Sequence, residues 1–472
     1  MHSSFTVPNE GSPAPTPVWA IAATSRRLAE QRDALRRIVG TRINAYKEHS
    51  KAGMRAHKSG PAEPSADDAT TRPAAKLHVL YPCKKGAWQR QWYTNTFFEG
   101  SQLVCYDAAT EADVWRADVI VAAFANPHKP KSGFSTHTEL FPRLGLQPEE
   151  AKMRQALRLK VLVHIDDEYG ARTPMIAAQA EEMCRQYSQW GMVYRNYWSN
   201  AIHSFFGDDG AWRLGHNCTA PPAAHAAKKG ERASLASVHS SLVDAMSVRC
   251  TEVSEPQAAA STSGADGSPL YAPRPVGWVP LGWSSNWAKQ PQPMSSDELA
   301  TPLASQRAVF VGFYGNEKYK LHRGRLLTHF SQQTNLQVNR DLGHTGFGRG
   351  NASRYVERMR DTTMSLQVAG LSTECYRMYE ALDAGCVPIL VDELGGTTTA
   401  LEQYRFILRD APFPHAAKAA MLKDRLTALR DTPAAVDSLQ RETGRWWRGM
   451  LGALRESVAS SSRALKACET KS

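Results

Sequence analysis

The chain has 472 residues, 42% of them hydrophobic and 12 of them tryptophan, with a formal charge of +11. That length points to two or three domains rather than one, and that apolar content is enough to bury sizeable cores. Lys and Arg outnumber Asp and Glu most clearly in residues 1–60, and no basic stripe interleaved with aromatics recurs elsewhere, so nucleic acid is not an expected partner of the folded part.

The eight cysteines (Cys83, Cys105, Cys184, Cys218, Cys250, Cys375, Cys386 and Cys468) contain no CxxC pair, which argues against a zinc site and leaves disulfide connectivity open. Sequons stand at Asn217 and Asn351. A membrane-spanning helix needs about 20 apolar residues. Val18–Ala23 is far shorter and follows a Pro-rich rather than a basic segment, so the chain reads as soluble, without an anchor or a clear signal peptide.

Residues 1–75 read as a disordered or stem-like region: a Pro/Ser/Gly-rich start, one amphipathic helical stretch over Arg26–Lys51, and a polar linker. A first domain is expected over 76–285. It opens with the apolar strand Leu77–Tyr81 and an aromatic helix carrying Trp88, Trp92, Tyr93, Phe97 and Phe98. Further strands are expected at Val119–Phe124, Lys160–Ile165 and Met192–Trp198. Strand, loop and helix in repetition predict a doubly wound α/β sheet, in which residues just past the carboxyl ends of strands line the ligand crevice. His128 follows the second of these strands and Asp166-Asp167-Glu168 the third, although Glu168 could equally cap the next helix. Residues 217–268 shift to Ala, Ser, Gly and Pro and read as a low-complexity insert. Pro280-Leu281-Gly282 has the composition of an interdomain connection.

A second domain is expected over 300–472. Its first strand, Ala308–Phe313, runs into Tyr314-Gly315-Asn316 and a helix from about Lys320. Glycine after a strand with Arg323 and Arg325 at a helix start makes a phosphate cradle chemically reasonable, though the Gly-Lys-Ser/Thr of a P-loop is absent. A helix at Tyr355–Met359 and a strand at Thr363–Ala369 lead to the densest stretch, Leu371–Gly396, reading LSTECYRMYEALDAGCVPILVDELGG. Ser372 or Thr373 could cap a helix there, Gly385 could end it, and Val387–Val391 is a buried-type strand. Glu374, Arg377 and Glu380 recur every three residues along one face, a spacing that a solvated salt-bridge ladder would share. Ala416–Ala459 reads as helical, with Trp446 and Trp447 packing as core or across both domains.

Thr373-Glu374-Cys375-Tyr376-Arg377, Tyr379-Glu380-Ala381 and Val387-Pro388 resemble the nucleotide-sugar motif of exostosin-type glycosyltransferases, nearest the branch that adds xylose to ribitol on the dystroglycan sugar chain. Phe97-Phe98-Glu99-Gly100, Asp167-Glu168, Pro280-Leu281-Gly282 and Phe310-Val311-Gly312 with Arg323 extend the likeness over about residues 80–400. The resemblance implies two Rossmann-like domains facing across a cleft, the GT-B arrangement, with inversion at the anomeric carbon and no bound metal required. It implies a nucleotide-sugar donor, UDP-xylose or another UDP-sugar, with Gly312, Arg323, Glu374, Arg377 and Glu380 around it. Arg323 and Arg377 suit the diphosphate, Glu380 the ribose diol and Glu374 the transferred sugar. The acceptor would be a glycan or glycoprotein hydroxyl in the Golgi or secretory pathway, deprotonated by Glu168, Asp167 or His128.

Overall fold

A computed structural model of the chain describes residues 76–82, 92–123, 156–165, 187–196, 205–206, 212–213, 276–284, 287, 302–315, 322–341, 352–368, 374–394 and 411–469. The chain divides after Ala75, and all of these residues lie in the unit Lys76–Ser472. The N-terminal region, the 217–268 insert, both sequons, His128, Asp167 and Glu168 lie outside the described residues.

The first sheet contains β1 (His78–Tyr81), β2 (Gln102–Cys105), β3 (Val119–Ala123), β4 (Val161–Ile165) and β5 (Met192–Arg195). An antiparallel pair, β6 (Phe205–Phe206) with β7 (Trp212–Arg213), stands apart, and β8 (Val276–Trp278) completes the sheet. All six strands run parallel in the order β2-β1-β3-β4-β5-β8. All five residues of β4, VLVHI, are buried, as a strand covered on both faces requires. Helix α1 (Glu111–Arg116) starts in a capping box in which Thr110 and Asp113 bond each other's backbone N–H groups.

The second sheet contains β9 (Val309–Tyr314), β10 (Val338–Asp341), β11 (Thr362–Gln367), β12 (Val387–Val391) and β13 (His415–Ala416), parallel in the order β10-β9-β11-β12-β13. Helices α2 (His322–Thr334), α3 (Ala352–Arg360), α4 (Tyr376–Asp383), α5 (Lys423–Asp431) and α6 (Pro433–Glu469) accompany it. Both sheets therefore open with their second strand, then their first and third. In this order the connections diverge on either side of the first strand, and a crevice opens beyond the carboxyl ends of β1 and β3 and of β9 and β11. Two such sheets in one chain are a GT-B-like fold. β2, β10 and β13, all edge strands, were not expected from the sequence; β10 (VNRD) carries no apolar run and β13 is only two residues long.

The halves share one apolar core. Trp92, Tyr93, Phe97 and Phe98, in and beside a short π-helical turn, pack with Leu281, Trp283 and Tyr379. The Tyr93 hydroxyl donates to Pro280 O at 2.7 Å. Gly282 has φ +75°, and a Cβ there would fall inside the Trp92 ring.

Helix α6 also spans both halves, so the end of the chain is not confined to the second domain. Near its start, Gln440 accepts from Ala304 N and donates to Gly385 O, each at 2.9 Å. Toward its end, Ser457 and Ser461 bond the Tyr194 hydroxyl of β5 at 2.6 and 2.9 Å, and Lys466 pairs with Asp118 beside β3. Among the described residues no helix is long and apolar enough to cross a membrane.

Gly282→Ala should destabilise the protein by on the order of 2–4 kcal/mol, combining an unfavourable φ with overpacking against Trp92. Gly449→Ala, in α6 with nothing within 4 Å of the added carbon, should stabilise it by about 0.5–1 kcal/mol. Chemical denaturation of both variants measures the contrast.

Candidate active site

Helix α4 begins later than the sequence suggested. Its N-cap is Cys375, which makes no side-chain cap bond, so Glu374 precedes the helix; Ser372 and Thr373 lie outside the described residues. Its end is as expected: Gly385 has φ +68°, Gly385 N bonds Leu382 O at 3.2 Å, and Cys386 N bonds Ala381 O at 2.8 Å. These are the two bonds of a Schellman motif, which turns the chain directly into β12.

Arg377, in the first turn of α4, lies at the crevice between β9 and β11. Its Nε donates to Tyr314 O at 2.8 Å and its Nη1 to Val368 O at 3.0 Å, gripping the chain just where both strands end. The guanidinium stacks over Phe313 at 4.5 Å, and Arg323 at the start of α2 lies 5.8 Å from the same ring. Two cations thus converge past the carboxyl end of β9, beside the amino terminus of α2, an arrangement suited to an anion. A Cβ on Gly315 would stand 2.9 Å from Arg377 Nη2 and 3.2 Å from the Phe313 ring, so a side chain there would press on both groups.

The acidic residues do different work. Glu374 has no exposed surface, and its Oε1 accepts from Leu281 N at 2.9 Å and from the Tyr379 hydroxyl. Glu380 Oε1 accepts from Ser284 N at 3.2 Å and Ser284 Oγ at 2.6 Å, while its Oε2 accepts from the Tyr355 hydroxyl at 2.5 Å. One turn on, Asp383 accepts from Trp287 Nε1. The carboxylates therefore meet the connecting segment at Leu281, Ser284 and Trp287, a regular interval of three residues on that side.

Two sequence expectations change. Glu374 is enclosed between its bonds to the connection and Tyr379, so it is not placed to contact a transferred sugar. Gly312 sits mid-strand, paired with Asn339 and Ser365, and its missing side chain makes room for the Tyr314 phenol rather than for a ligand. Arg323 and Arg377 meet at the Phe313 ring, and Glu380, one turn along α4, is bonded to Ser284 and Tyr355. Cys386 is buried and donates to Met359 O at 2.8 Å, a packing role, and burial pushes its thiol up to about 11.

Ser284, Trp287, Tyr355 and Asp383 were not anticipated. Asp383 extends the three-residue spacing of Arg377 and Glu380, which was the available signal. The other three carry none, because they reach the site only through the fold. Burial raises the Tyr355 hydroxyl well above its usual range, and the negative charge of Glu380 adds to the effect. Burial also raises Asp383 to about 7, against which the Trp287 hydrogen bond acts in the lowering direction.

Residues 301–429 match the family model described as the RXYLT1 C-terminal domain. The α4 motif that resembles the ribitol-xylosyltransferase-like, exostosin-type family lies within this match, which covers the second sheet with α2, α3 and α4 and ends inside α5. No curated protein sequence matches the chain. Among solved structures, one described as the crystal structure of an alpha1,3-fucosyltransferase aligns with 80% of this chain and 85% of its own, at 10% identity and a TM-score of 0.30.

Because the Asp383 pKa is raised in the folded state, the folded protein holds this proton more tightly than the unfolded chain does. The corresponding stability is fully present below the ordinary value of 3.8 and is lost as pH rises toward about 7. Asp383→Asn keeps a side-chain oxygen for Trp287 and removes the titration. The stability difference between variant and wild type should change across that window and level off above it, as read from denaturation curves at a series of pH values.

Proposed function

We propose that this chain is an inverting glycosyltransferase that takes a sugar from a nucleoside-diphosphate donor, most simply a UDP-sugar, and passes it to a hydroxyl of a glycan or glycoprotein. The class, glycosyltransferase, is carried by the family match over residues 301–429 and agrees with the GT-B-like fold. The finer reading rests on one observation: Arg323 and Arg377 converge on Phe313 at the crevice beyond β9, with Glu380 one helical turn from Arg377.

In this reading the diphosphate lies against the two guanidinium groups, with the amino terminus of α2 adding its partial positive charge. As the sugar–phosphate bond breaks, negative charge grows on the departing diphosphate. Fixed cations at that point stabilise the transition state more than the ground state, which is what speeds the step. Glu380 meets the ribose. A carboxylate has about four lone-pair positions, and three are taken by Ser284 N, Ser284 Oγ and the Tyr355 hydroxyl. The remaining position, on Oε2, accepts one ribose hydroxyl.

Inversion needs one base on the acceptor hydroxyl. Asp167 and Glu168 follow directly on β4 in the first sheet and are our assignment, with His128, downstream of β3, as the alternative. Xylose is the sugar favoured by the family match, and the acceptor class follows the same likeness. Cys105 and Cys468 are disulfide-bonded, a state kept in oxidising compartments, which supports a secretory-pathway setting such as the Golgi.

A thermal-shift series with UDP-xylose, UDP-galactose, UDP-glucuronic acid and GDP-sugars tests the reading. A donor at 100 times its dissociation constant adds about 2.7 kcal/mol of stability, an easily measured shift. Arg323→Ala should weaken donor binding by about tenfold or more. Glu168→Gln should leave donor binding intact and lower turnover by about 10²–10⁴. The absence of any shift with every nucleotide sugar would overturn the proposal.

A further inference from the structure

Gln367 closes β11 at the end that borders the crevice, level with Leu390 of β12. Its side chain is 5% exposed. Nε2 donates to Ser365 O at 3.2 Å and to Ser365 Oγ at 3.0 Å. This fixes the orientation of the amide, because only its NH₂ group can meet a backbone carbonyl. Oε1 therefore sits on the side of the amide away from those contacts, and among the described residues it has no hydrogen-bond partner. A buried carbonyl oxygen without a donor is costly to the folded state, and few are retained in native proteins. The carbonyl of the next residue, Val368, accepts from Arg377 Nη1, so the unfilled acceptor is one residue from the anchor of the arginine that faces the anion site.

The chemistry of the donor limits what could fill it. A phosphate at neutral pH offers acceptors only. In the nucleotide moiety of a UDP-sugar, the hydrogen-bond donors are the two ribose hydroxyls and the ring N–H of uracil. Glu380 is the group suited to the ribose, which within the nucleotide leaves the base; the hydroxyls of the transferred sugar are the other donors, and UDP, which lacks them, tells the two apart. We propose that Gln367 Oε1 accepts the ring N–H of a uracil base, making Gln367 a residue that selects the nucleotide. Cytosine, whose ring nitrogen at that position is itself an acceptor, would be disfavoured. This inference rests on the nucleotide-sugar reading of the same crevice.

Two ligands and one variant test it, with binding measured by calorimetry on the full chain. Wild type should bind UDP about tenfold to hundredfold more tightly than N3-methyl-UDP, which lacks the ring N–H and keeps the ribose and both phosphates. Gln367→Met is close in volume and removes the orphan oxygen. It should bind UDP about as weakly as wild type binds N3-methyl-UDP, and should show little further loss with the methylated ligand. Equal affinity of wild type for the two ligands would overturn the inference, whatever the variant does. An equal loss for both ligands in Gln367→Met would assign Gln367 to packing alone and overturn it too. If wild type binds neither UDP nor any UDP-sugar, the donor reading itself falls, and this inference with it. Binding of UDP that is insensitive to N-methylation removes only the role of Gln367.

Discussion

The arrangement depends on a set of hydrogen bonds between carboxylates and neutral donors. Glu374, Glu380 and Asp383 hold the connection at Leu281, Ser284 and Trp287 through backbone, hydroxyl and indole donors rather than through cations. Burying a carboxylate is expensive unless its lone pairs are satisfied, and losing one partner of such a group costs more than making the bond contributes. That asymmetry makes the register of the connection along α4 strict. A slip by one residue would strand buried oxygens as well as remove contacts. The raised pKa of Asp383 fits the same account, since among the described residues its side-chain donor is one indole N–H, whereas Glu380 accepts three bonds.

Helix α4 is in this sense the keystone. On one side it receives the connection from the first half. On the other, Tyr379 stacks with Trp447 of α6 at 5.7 Å, and the carbonyl of Gly385, just past its end, accepts from Gln440. The chain passes between the halves at the connection and again along α6, and both passages touch this helix or its cap. Arg307 adds a brace beneath it: buried, it donates to Thr362 O at 2.8 Å and Ala384 O at 2.9 Å, joining the start of β11 to the end of α4.

Much of this was legible in the sequence where the physics is local. Continuous apolar runs marked β1, β3, β4, β9 and β12, and Gly385 marked the end of α4, because burial on both faces and a left-handed cap each demand a particular residue type. The edge strand β10 was not legible, since a strand with one neighbour needs no unbroken apolar run. At the site, the spacing put Glu374, Arg377 and Glu380 on one helix face, and the resemblance put Glu374 against the transferred sugar. Spacing reports which residues share a side of a helix. It carries no information about which part of the chain packs there, and the connection covers Glu374 while leaving the guanidinium of Arg377 at the crevice. The partners Ser284, Trp287 and Tyr355 were invisible for the same reason: Ser284 and Trp287 lie 96 residues from the acids they meet, and Tyr355 lies 25 residues from Glu380.

That division of labour bears on how a donor would be held. If Glu380 met a ribose with a free carboxylate, it could accept both hydroxyls of the diol. With Oε1 already taken by Ser284, the geometry permits one bond without disturbing the connection, and a second only if Ser284 moves away. Donor binding and the fastening of the two halves thus compete for the same oxygen. A ligand that gains the second bond must replace two contacts of the connection with one of its own, so single engagement is the less costly state. Most of the grip on the donor then falls to the arginine pair, of which Arg377 is held by the strand ends whether or not the connection shifts. Arg377 can carry that load because its own anchors, Tyr314 O and Val368 O, are backbone atoms of the second sheet and owe nothing to the first half.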